Sequence, residues 1–230
     1  METIVPRSYI LVTGGAGGIG SAICKLLPVV GFIPIVGFNT NDIHAHKLAS
    51  ELGGFALKID MSSNKSVREA ISFISNNLQE IDSLVGVILG ASPPPDLLPF
   101  ASITADQLSN QLQVNVIGSQ ILLAGLIKNF FRKAKSGTIV GILSQAMGTS
   151  IAPPTTGMSA YVIAKSALNC MLSICATEYP WLKVRTVSPG FTKTRMLDVF
   201  DSRYLETAQA QKVFSSPEEI AQLILKEILS

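Results

Sequence analysis

Short apolar runs alternate with longer helix-like segments along the whole chain. Each run is bounded by polar residues, glycine or proline, which is typical of short buried strands. We predict strands over residues 9–14, 33–38, 54–60, 83–89, 137–143 and 183–189. We predict helices over residues 18–30, 43–52, 64–77, 104–131 and 159–177. A last helix is expected from Pro217 onward, because proline is favoured in a first helical turn.

This alternation predicts an α/β fold, in which a single doubly wound parallel sheet of six strands carries helices on both faces. The runs are apolar throughout, as expected of parallel strands that are buried on both sides. No linker, low-complexity tract or repeat divides residues 1–230, so we expect one domain. Ligands of open parallel sheets bind beyond the carboxyl ends of the strands, and functional residues are therefore expected in those loops.

The composition indicates a globular protein with a large core. Of its 230 residues, 47% are hydrophobic and 15% are charged, and the formal net charge is only +2. This balance gives no reason to expect nucleic acid or a membrane surface as a partner. No secretory signal is evident at the N-terminus, and the most apolar windows are interrupted short of a membrane span. We expect a cytoplasmic protein.

The cysteines and histidines give no sign of a metal site. Cys24, Cys170 and Cys175 lack metal-ligand spacing and lie in apolar helix-like segments, where buried free thiols are expected. Such thiols are consistent with a reducing compartment. His44 and His46 lie two residues apart on a predicted helix, so their side chains point to different sides.

A glycine-rich loop follows the first predicted strand and precedes the first predicted helix. Its sequence, "TGGAGGIG", fits two spacings: Gly14, Gly17 and Gly20, or Gly14, Gly18 and Gly20. Glycines in this context let a pyrophosphate approach the backbone at a helix N-terminus, whose free N–H groups attract anions. The alternative is an ordinary glycine-rich turn. The position of the loop favours dinucleotide binding.

The ends of the second and third strands bear on the choice of cofactor. Asp60 can accept a hydrogen bond from an adenine amino group, although it can also cap the next helix, a role that Ser62 or Ser63 fits better. An acid after the second strand selects NAD by binding the ribose 2′-hydroxyl. Phe38 stands there instead, and Asn39, Thr40 and Asn41 follow it. These donors favour NADP(H) over NAD(H).

A hydroxyl, a phenol and an ammonium group occur together in the second half of the chain. Ser144 follows the fifth predicted strand, and Tyr161 and Lys165 lie four residues apart on one helical face. A lysine beside a tyrosine stabilises the phenolate and brings its pKa nearer to neutrality, as acid–base catalysis requires. The Y-x-x-x-K spacing alone is common and mostly structural. Its order after a glycine loop and a strand-end serine makes it informative.

Together these motifs resemble the short-chain dehydrogenase/reductase family, in its short single-domain, 3-oxoacyl reductase-like branch. The resemblance runs from Tyr9 to about Leu229 and includes "TGGAGGIG", "DM" at Asp60, "QVNVIG", "YVIAK" and "SPGFTKT". It implies a Rossmann sheet in the order 3-2-1-4-5-6. It also implies that Gly14, Gly18 and Gly20 are the working glycines, and that Gly17 is a coincidental match.

The resemblance also assigns roles to residues. It implies that Tyr161 is the acid/base, that Lys165 lowers its pKa and binds the nicotinamide ribose, and that Ser144 orients the substrate. It further implies that Asn115 holds a proton-relay water; otherwise Asn115 would be a polar residue at a helix kink. The cofactor-binding residues by this resemblance are Gly14, Gly18, Ile19, Gly20, Asn39, Thr40, Asp60, Met61, Gly90, Ala91, Tyr161, Lys165, Pro189, Gly190 and Thr194.

The chain departs from the family pattern in several places. The usual "NNAG" is replaced by "VILGASPPP", so we expect packing alone to support that loop. Ser144 and Tyr161 are 17 residues apart, more than is typical, which makes Ser150 an alternative serine. Arg185 stands in place of an asparagine, a change that the sequence does not explain. The usual seventh strand is expected to be absent.

These features predict an NAD(P)-dependent oxidoreductase that transfers hydride between nicotinamide and a small ketone or secondary alcohol. The alternative is a cofactor-binding sensor or partner subunit with little turnover. A substrate lid is expected over residues 191–214, with Arg195 or Arg203 available to an anionic group and several apolar side chains available to the rest. The resemblance is also compatible with a homodimer formed through the two longest helices.

Overall fold

The computed structural model describes residues 6–78 and 81–230, so residues 1–5, 79 and 80 of the predicted domain lie outside the described residues. Six parallel strands form one sheet in the order β3-β2-β1-β4-β5-β6, as predicted. The strands are β1 Ser8–Thr13, β2 Ile33–Phe38, β3 Phe55–Lys58, β4 Ser83–Leu89, β5 Thr138–Ile142 and β6 Lys183–Val187. Strand order reverses between β1 and β4, and this switch point is where open α/β sheets bind ligands.

Seven helices longer than two turns connect or follow these strands within the described part of the chain. They are α1 Gly18–Leu26, α2 Asp42–Glu51, α3 Asn64–Asn77, α4 Ala105–Ala134, α5 Ser159–Glu178, α6 Ser202–Gln211 and α7 Pro217–Leu229. The predicted helix over residues 18–30 ends its α-helical part at Leu26 and continues as a 3₁₀ turn, Leu27–Val30, that contains Pro28. The polar helix α6 was not predicted, because its segment was assigned to a lid.

The two faces of the sheet carry separate apolar cores. Leu11 of β1 faces the core formed with α3, α4 and α5, whereas its neighbours Ile10 and Val12 face the core formed with α1, α2 and α7. Alternate residues of a strand point to opposite faces, so a strand that is apolar at every position supplies both cores. This explains why the apolar runs gave correct strand positions.

Strand β6 is the outer strand of the sheet among the described residues, which agrees with the expected lack of a seventh strand. Arg185 on β6 lies partly exposed, and its guanidinium is 3.6 Å from the carboxylate of Glu227 on α7. Lys183 on the same strand donates to the carbonyl of Ile228 at 2.8 Å. The two basic residues therefore connect the edge strand to the last helix. This contact explains the presence of an arginine at position 185 in structural terms.

Two helices whose lengths were predicted closely are more apolar than the sequence analysis allowed. Ala105–Ala134 and Ser159–Glu178 are both as long and as apolar as a membrane-spanning helix. The expectation that no apolar window reaches the length of a membrane span was therefore wrong. Both pack against the sheet and contribute to its core, as core helices of this composition do. The prediction about cysteines also needs correction, because Cys24 and Cys175 are buried but Cys170 is exposed.

Helix α4 contains two π-helical stretches, Gln113–Gly118 and Ile127–Phe131. The first holds Gly118 so close to the loop after β3 that a Cβ on it would lie 2.2 Å from the Met61 carbonyl oxygen. Single π-turns in α-helices are frequent at functional sites. Asn115 lies in this stretch, so the helix irregularity noted as an alternative for this residue is present.

Candidate active site

The glycine loop packs too tightly for any side chain at two of its positions. A Cβ on Gly20 would lie 2.1 Å from the Gly14 carbonyl oxygen, and one on Gly18 would lie 2.6 Å from the Thr194 methyl group. Helix α1 starts at Gly18, with no side-chain cap and no acidic residue in its first turn. Its N–H groups and positive dipole end are thus open to an anion, and the loop fits a dinucleotide pyrophosphate.

Contact with Thr194 supports the glycine spacing inferred from the family resemblance. Gly18 touches the segment after β6, whereas a Cβ on Gly17 would meet only the Gly14 carbonyl at 3.1 Å. Gly17 instead occupies the N-cap of α1. Gly18 therefore lies against the segment that follows β6, and Gly17 does not.

A lysine that the sequence analysis did not single out lies against the end of β2. Lys58, the last residue of β3, donates to the backbone carbonyl of Asn39 and to its side-chain Oδ1, the latter at 3.1 Å. Its ammonium also lies 5.7 Å from the centre of the Phe38 ring. Phe38 is 6% exposed and packs in the core, so it does not fill the ribose position. Thr40 is exposed beside this group.

Asp60 and Met61 present different groups to the site. The Oδ1 atom of Asp60 accepts from the backbone N–H of Ser62 at 2.9 Å and from its hydroxyl at 2.7 Å. Ser63, not Asp60, caps α3. The Asp60 carboxylate is therefore held at the strand end, with its second oxygen free of those bonds. Met61 as a whole is 4% exposed and its side chain packs in the core, so Asp60 is the one of the two with a polar group available to a ligand.

Thr13 braces the loop that replaces "NNAG". Its hydroxyl accepts from the backbone N–H groups of Gly90 at 3.0 Å and Ala91 at 3.2 Å, and it donates to the Ile88 carbonyl at 3.2 Å. Thr13 is 1% exposed, so these bonds satisfy backbone groups away from water. The expectation that packing alone supports this loop was wrong, because a buried hydroxyl does so.

One cavity of about 310 Å³ at the carboxyl ends of β4, β5 and β6 brings together three of the predicted catalytic residues, Ser144, Tyr161 and Lys165. Seven of the predicted cofactor residues line the same cavity: Tyr161 and Lys165 themselves, together with Ile19, Gly90, Pro189, Gly190 and Thr194. Eight others do not line it, namely Gly14, Gly18, Gly20, Asn39, Thr40, Asp60, Met61 and Ala91. Of these, Asn39, Thr40 and Asp60 follow β2 and β3, on the side of the sheet where the adenosine end of the cofactor was predicted. Asn115 lies behind it, where its π-helical stretch packs against α5.

Burial controls the electrostatics of this cavity. Lys165 is 2% exposed and donates to the Ile142 carbonyl at 2.9 Å; loss of hydration lowers its pKa to about 7. Burial raises the pKa of Tyr161, and a hydrogen bond with the Ser144 side chain opposes that rise. The Lys165 ammonium lies 5.6 Å from the centre of the Tyr161 ring. Ser144 is thus the group that eases ionisation of the phenol in this structure.

Asn115 belongs to a buried amide chain. Its Nδ2 donates to the Gln111 carbonyl at 3.0 Å and to the Gln111 Oε1 at 3.2 Å, and the Gln111 Nε2 donates to the Pro94 carbonyl at 2.7 Å. Both amide side chains are 0% exposed. Among the described residues the Asn115 Oδ1 atom has no hydrogen-bond partner, and a buried acceptor of this kind is a natural place for a water molecule.

The extra residues between Ser144 and Tyr161 form a turn outside the cavity. Thr149 N–H donates to the Ala152 carbonyl at 2.8 Å, and Thr155 N–H donates to the Ala146 carbonyl at 2.9 Å, which closes the turn. Ser150 is exposed on it and does not line the cavity. The geometry therefore favours Ser144 over Ser150.

Other groups in the cavity were missed by the sequence analysis, chiefly Gln145 and Lys212. Arg195 and Arg203, the cations expected to meet an anionic group, are exposed and do not line it. Within the described ranges no group of three or more metal-ligating side chains occurs.

The fold and this cavity define an α/β protein of the dinucleotide-binding class. A sequence model of the family described as "short chain dehydrogenase" matches residues 8–204. The chain therefore belongs to the short-chain dehydrogenase/reductase family, and it is an oxidoreductase acting on a CH–OH/C=O pair of a small molecule. Members of this family bind NAD(P)H.

Individual relatives cover most of the chain. A 3-oxoacyl-(acyl-carrier-protein) reductase of Bos taurus is 29% identical over 92% of this chain and 86% of its own. An NADP-dependent 3-hydroxy acid dehydrogenase of Schizosaccharomyces pombe is 28% identical over 94% of this chain and 85% of its own. The crystal structure of a 3-ketoacyl-(acyl-carrier-protein) reductase from Brucella melitensis complexed with NADH has a TM-score of 0.82 at 18% identity, over 96% and 90% of the two chains.

Proposed function

We propose that the protein interconverts a ketone and a secondary alcohol, with Tyr161 transferring the proton. The observation that supports this most is the shared cavity of Ser144, Tyr161 and Lys165 at the end of the sheet that carries the glycine loop. A nicotinamide cofactor, when bound, supplies or accepts the hydride. The phenol of Tyr161 donates to or accepts from the substrate oxygen, and Ser144 holds that oxygen and the phenol together.

Lys165 and Asn115 complete the proposed proton path. With its pKa lowered to about 7, Lys165 is about half protonated at neutral pH, and its protonated form stabilises the phenolate that forms when Tyr161 gives up its proton. The unpartnered Oδ1 of buried Asn115 is suited to a water molecule that links this region to solvent. The glycine loop, Thr194 and the Pro189–Gly190 segment would hold the cofactor in this arrangement.

The proposed reaction is tested by following the absorbance of NADPH with a panel of small ketones. Ser144→Ala and Ser150→Ala form a matched pair, because both remove one hydroxyl and only Ser144 lines the cavity. We expect Ser144→Ala to lower kcat by about 10² or more, as loss of an oxyanion-type donor does. Ser150→Ala should behave like the wild type. Tight cofactor binding without turnover of any ketone or alcohol would instead favour the sensor alternative.

We further propose that NADP(H) is preferred over NAD(H), and Lys58 supports this. Its ammonium lies against Asn39 at the end of β2, where the ribose 2′-substituent is bound in this fold, and the two groups offer a charge and an amide to a phosphate. No carboxylate stands at residues 38–41 to repel that phosphate. The relative from Schizosaccharomyces pombe is named NADP-dependent.

The cofactor preference is tested by titrating the protein with NADPH and with NADH and following nicotinamide fluorescence. We expect tighter binding of NADPH, and a fall of about tenfold in that preference in Lys58→Met, which corresponds to about 1.4 kcal/mol. Lys226→Met, on the exposed side of α7, removes the same charge far from β2 and serves as the control. Equal affinities in the wild type would contradict the proposal.

We also propose a homodimer formed through α4 and α5. Ile163 and Ile174 are 37% and 53% exposed on α5, and Ile117 on α4 is 44% exposed. The first two lie about three turns apart and so share one helical face. Sedimentation velocity should show a dimer that Ile174→Glu weakens; a monomeric wild type would refute this.

A further inference from the structure

The mouth of the active-site cavity carries a cation in direct contact with the residue after Ser144. Lys212, which follows the last residue of α6, lines the cavity, and its ammonium donates to the side-chain Oε1 of Gln145. Gln145 is itself fixed, because its backbone N–H donates to the Pro189 carbonyl at 2.9 Å. Lys212 therefore contacts the residue that follows Ser144, the serine proposed to hold the reacting oxygen.

The charges around Lys212 are unbalanced. The described residues that line the cavity include two lysines, Lys165 and Lys212, and no aspartate or glutamate. Lys212 takes part in none of the ion pairs found among those parts of the chain that the structure describes. A cation that faces a cavity without a carboxylate partner favours an anionic ligand there.

The segment that carries Lys212 is held in place over the cavity. Phe191 stacks edge-on against Phe200, with 5.4 Å between ring centres, and lies 5.0 Å from the Phe214 ring. The Ser215 N–H donates to the Phe191 carbonyl at 3.0 Å, which closes the base of the segment. Met196, Leu197 and Phe200 from the same segment line the cavity with apolar surface. Lys212 is thus the charged residue of a wall that this segment otherwise forms with apolar side chains and two threonines, Thr192 and Thr194.

We propose that Lys212 and Gln145 form an anion subsite, and that the substrate is an oxo acid or hydroxy acid whose carboxylate binds there. This rests on the proposed function, because it places the reacting carbonyl at Ser144 and Tyr161. One lysine balances the single charge of a carboxylate, and the Gln145 amide can donate to its second oxygen. Since Gln145 adjoins Ser144, the carboxylate lies only a few bonds from the reacting carbon, as in a 3-oxo or 4-oxo acid.

The subsite is tested with matched acids and esters: acetoacetate against methyl acetoacetate, and 4-oxopentanoate against its methyl ester. With NADPH saturating, we expect the wild type to prefer the acids by about tenfold in kcat/KM, the value of one charge-assisted contact. In Lys212→Met this preference should vanish through a higher KM for the acids. In Lys212→Arg it should persist, and in Lys226→Met it should be unchanged.

The possible results distinguish the proposed anion subsite from the proposed oxidoreductase reaction. Equal losses for acids and esters in Lys212→Met would mean that Lys212 only supports the lid, and no acid preference in the wild type would refute the subsite outright. Failure to turn over all four compounds despite NADPH binding would count against the proposed function. Calorimetry of 3-hydroxybutyrate with the NADP⁺-loaded protein then decides the subsite: binding abolished by Lys212→Met supports it, and no binding overturns it.

Discussion

Burial of Lys165 predicts a specific dependence of stability on pH. The structure lowers the pKa of this lysine from 10.5 to about 7, because its ammonium is removed from water. The unfolded chain restores the higher value, so between about pH 7 and pH 10.5 the unfolded state binds more protons than the folded one. The free energy of unfolding should therefore rise with pH in that window. The contribution of neutral Lys165 to it is complete above the unfolded pKa of 10.5, and it is lost as the pH falls through the folded pKa of about 7.

The magnitude follows from the two pKa values. Where the unfolded state binds one proton more than the folded state, the free energy of unfolding rises by about 1.4 kcal/mol per pH unit. Near pH 7 the folded lysine is itself about half protonated, so the slope there is smaller. From about pH 7 to pH 9, Lys165 should add about 2 kcal/mol to the free energy of unfolding.

The assay is chemical denaturation of the wild type and of Lys165→Met at several pH values and fixed ionic strength. Trp181, the single tryptophan of the chain, and far-ultraviolet circular dichroism report unfolding. Because methionine cannot titrate, the wild-type stability minus that of the variant isolates the lysine from other groups. We expect this difference to rise by about 2 kcal/mol between pH 7 and pH 9. A flat difference would refute the argument that burial has shifted this pKa.

Three further substitutions test the supports of the site. Gly20→Ala would place its Cβ 2.1 Å from the Gly14 carbonyl, and we expect nicotinamide fluorescence titration to show lost cofactor binding. Thr13→Val leaves two buried N–H groups without an acceptor and should lower the free energy of unfolding by about 1–3 kcal/mol, whereas Thr13→Ser should not. Gln111→Met removes a partner from Asn115 and should lower kcat while leaving NADPH affinity near the wild-type value; unchanged kcat would show that Gln111 does not position Asn115.

Most of the fold could be predicted because each strand is buried on both faces. Such strands are apolar at successive positions, so their runs stand out from the amphipathic helices between them. The turn residues at their ends made β2 and β4 correct at both boundaries. Helix α6 was missed because it is polar and none of its described residues joins either core of the sheet, so its sequence lacks an apolar face toward the core.

The motif residues were predictable for a different reason: each must stand at a fixed place in the chain order. Ser144, Tyr161 and Lys165 follow this order, and the structure brings them into one cavity. Their supporting residues follow no such pattern. Thr13 reaches Gly90 from 77 residues away, and Lys212 reaches Gln145 from 67 residues away. Contacts of this kind depend on the tertiary fold, and a single sequence does not mark them.

The role of Tyr161 is the central claim, and Tyr161→Phe tests it most directly. The substitution removes one hydroxyl and leaves the ring, which is 8% exposed, in its packing site. The measurement compares NADPH affinity with the rate of ketone reduction in the same two preparations. The account predicts unchanged affinity and a fall in kcat on the order of 10²–10⁴-fold, the contribution of a general acid. Turnover within about twofold of the wild type would contradict a proton-transfer role for the phenol.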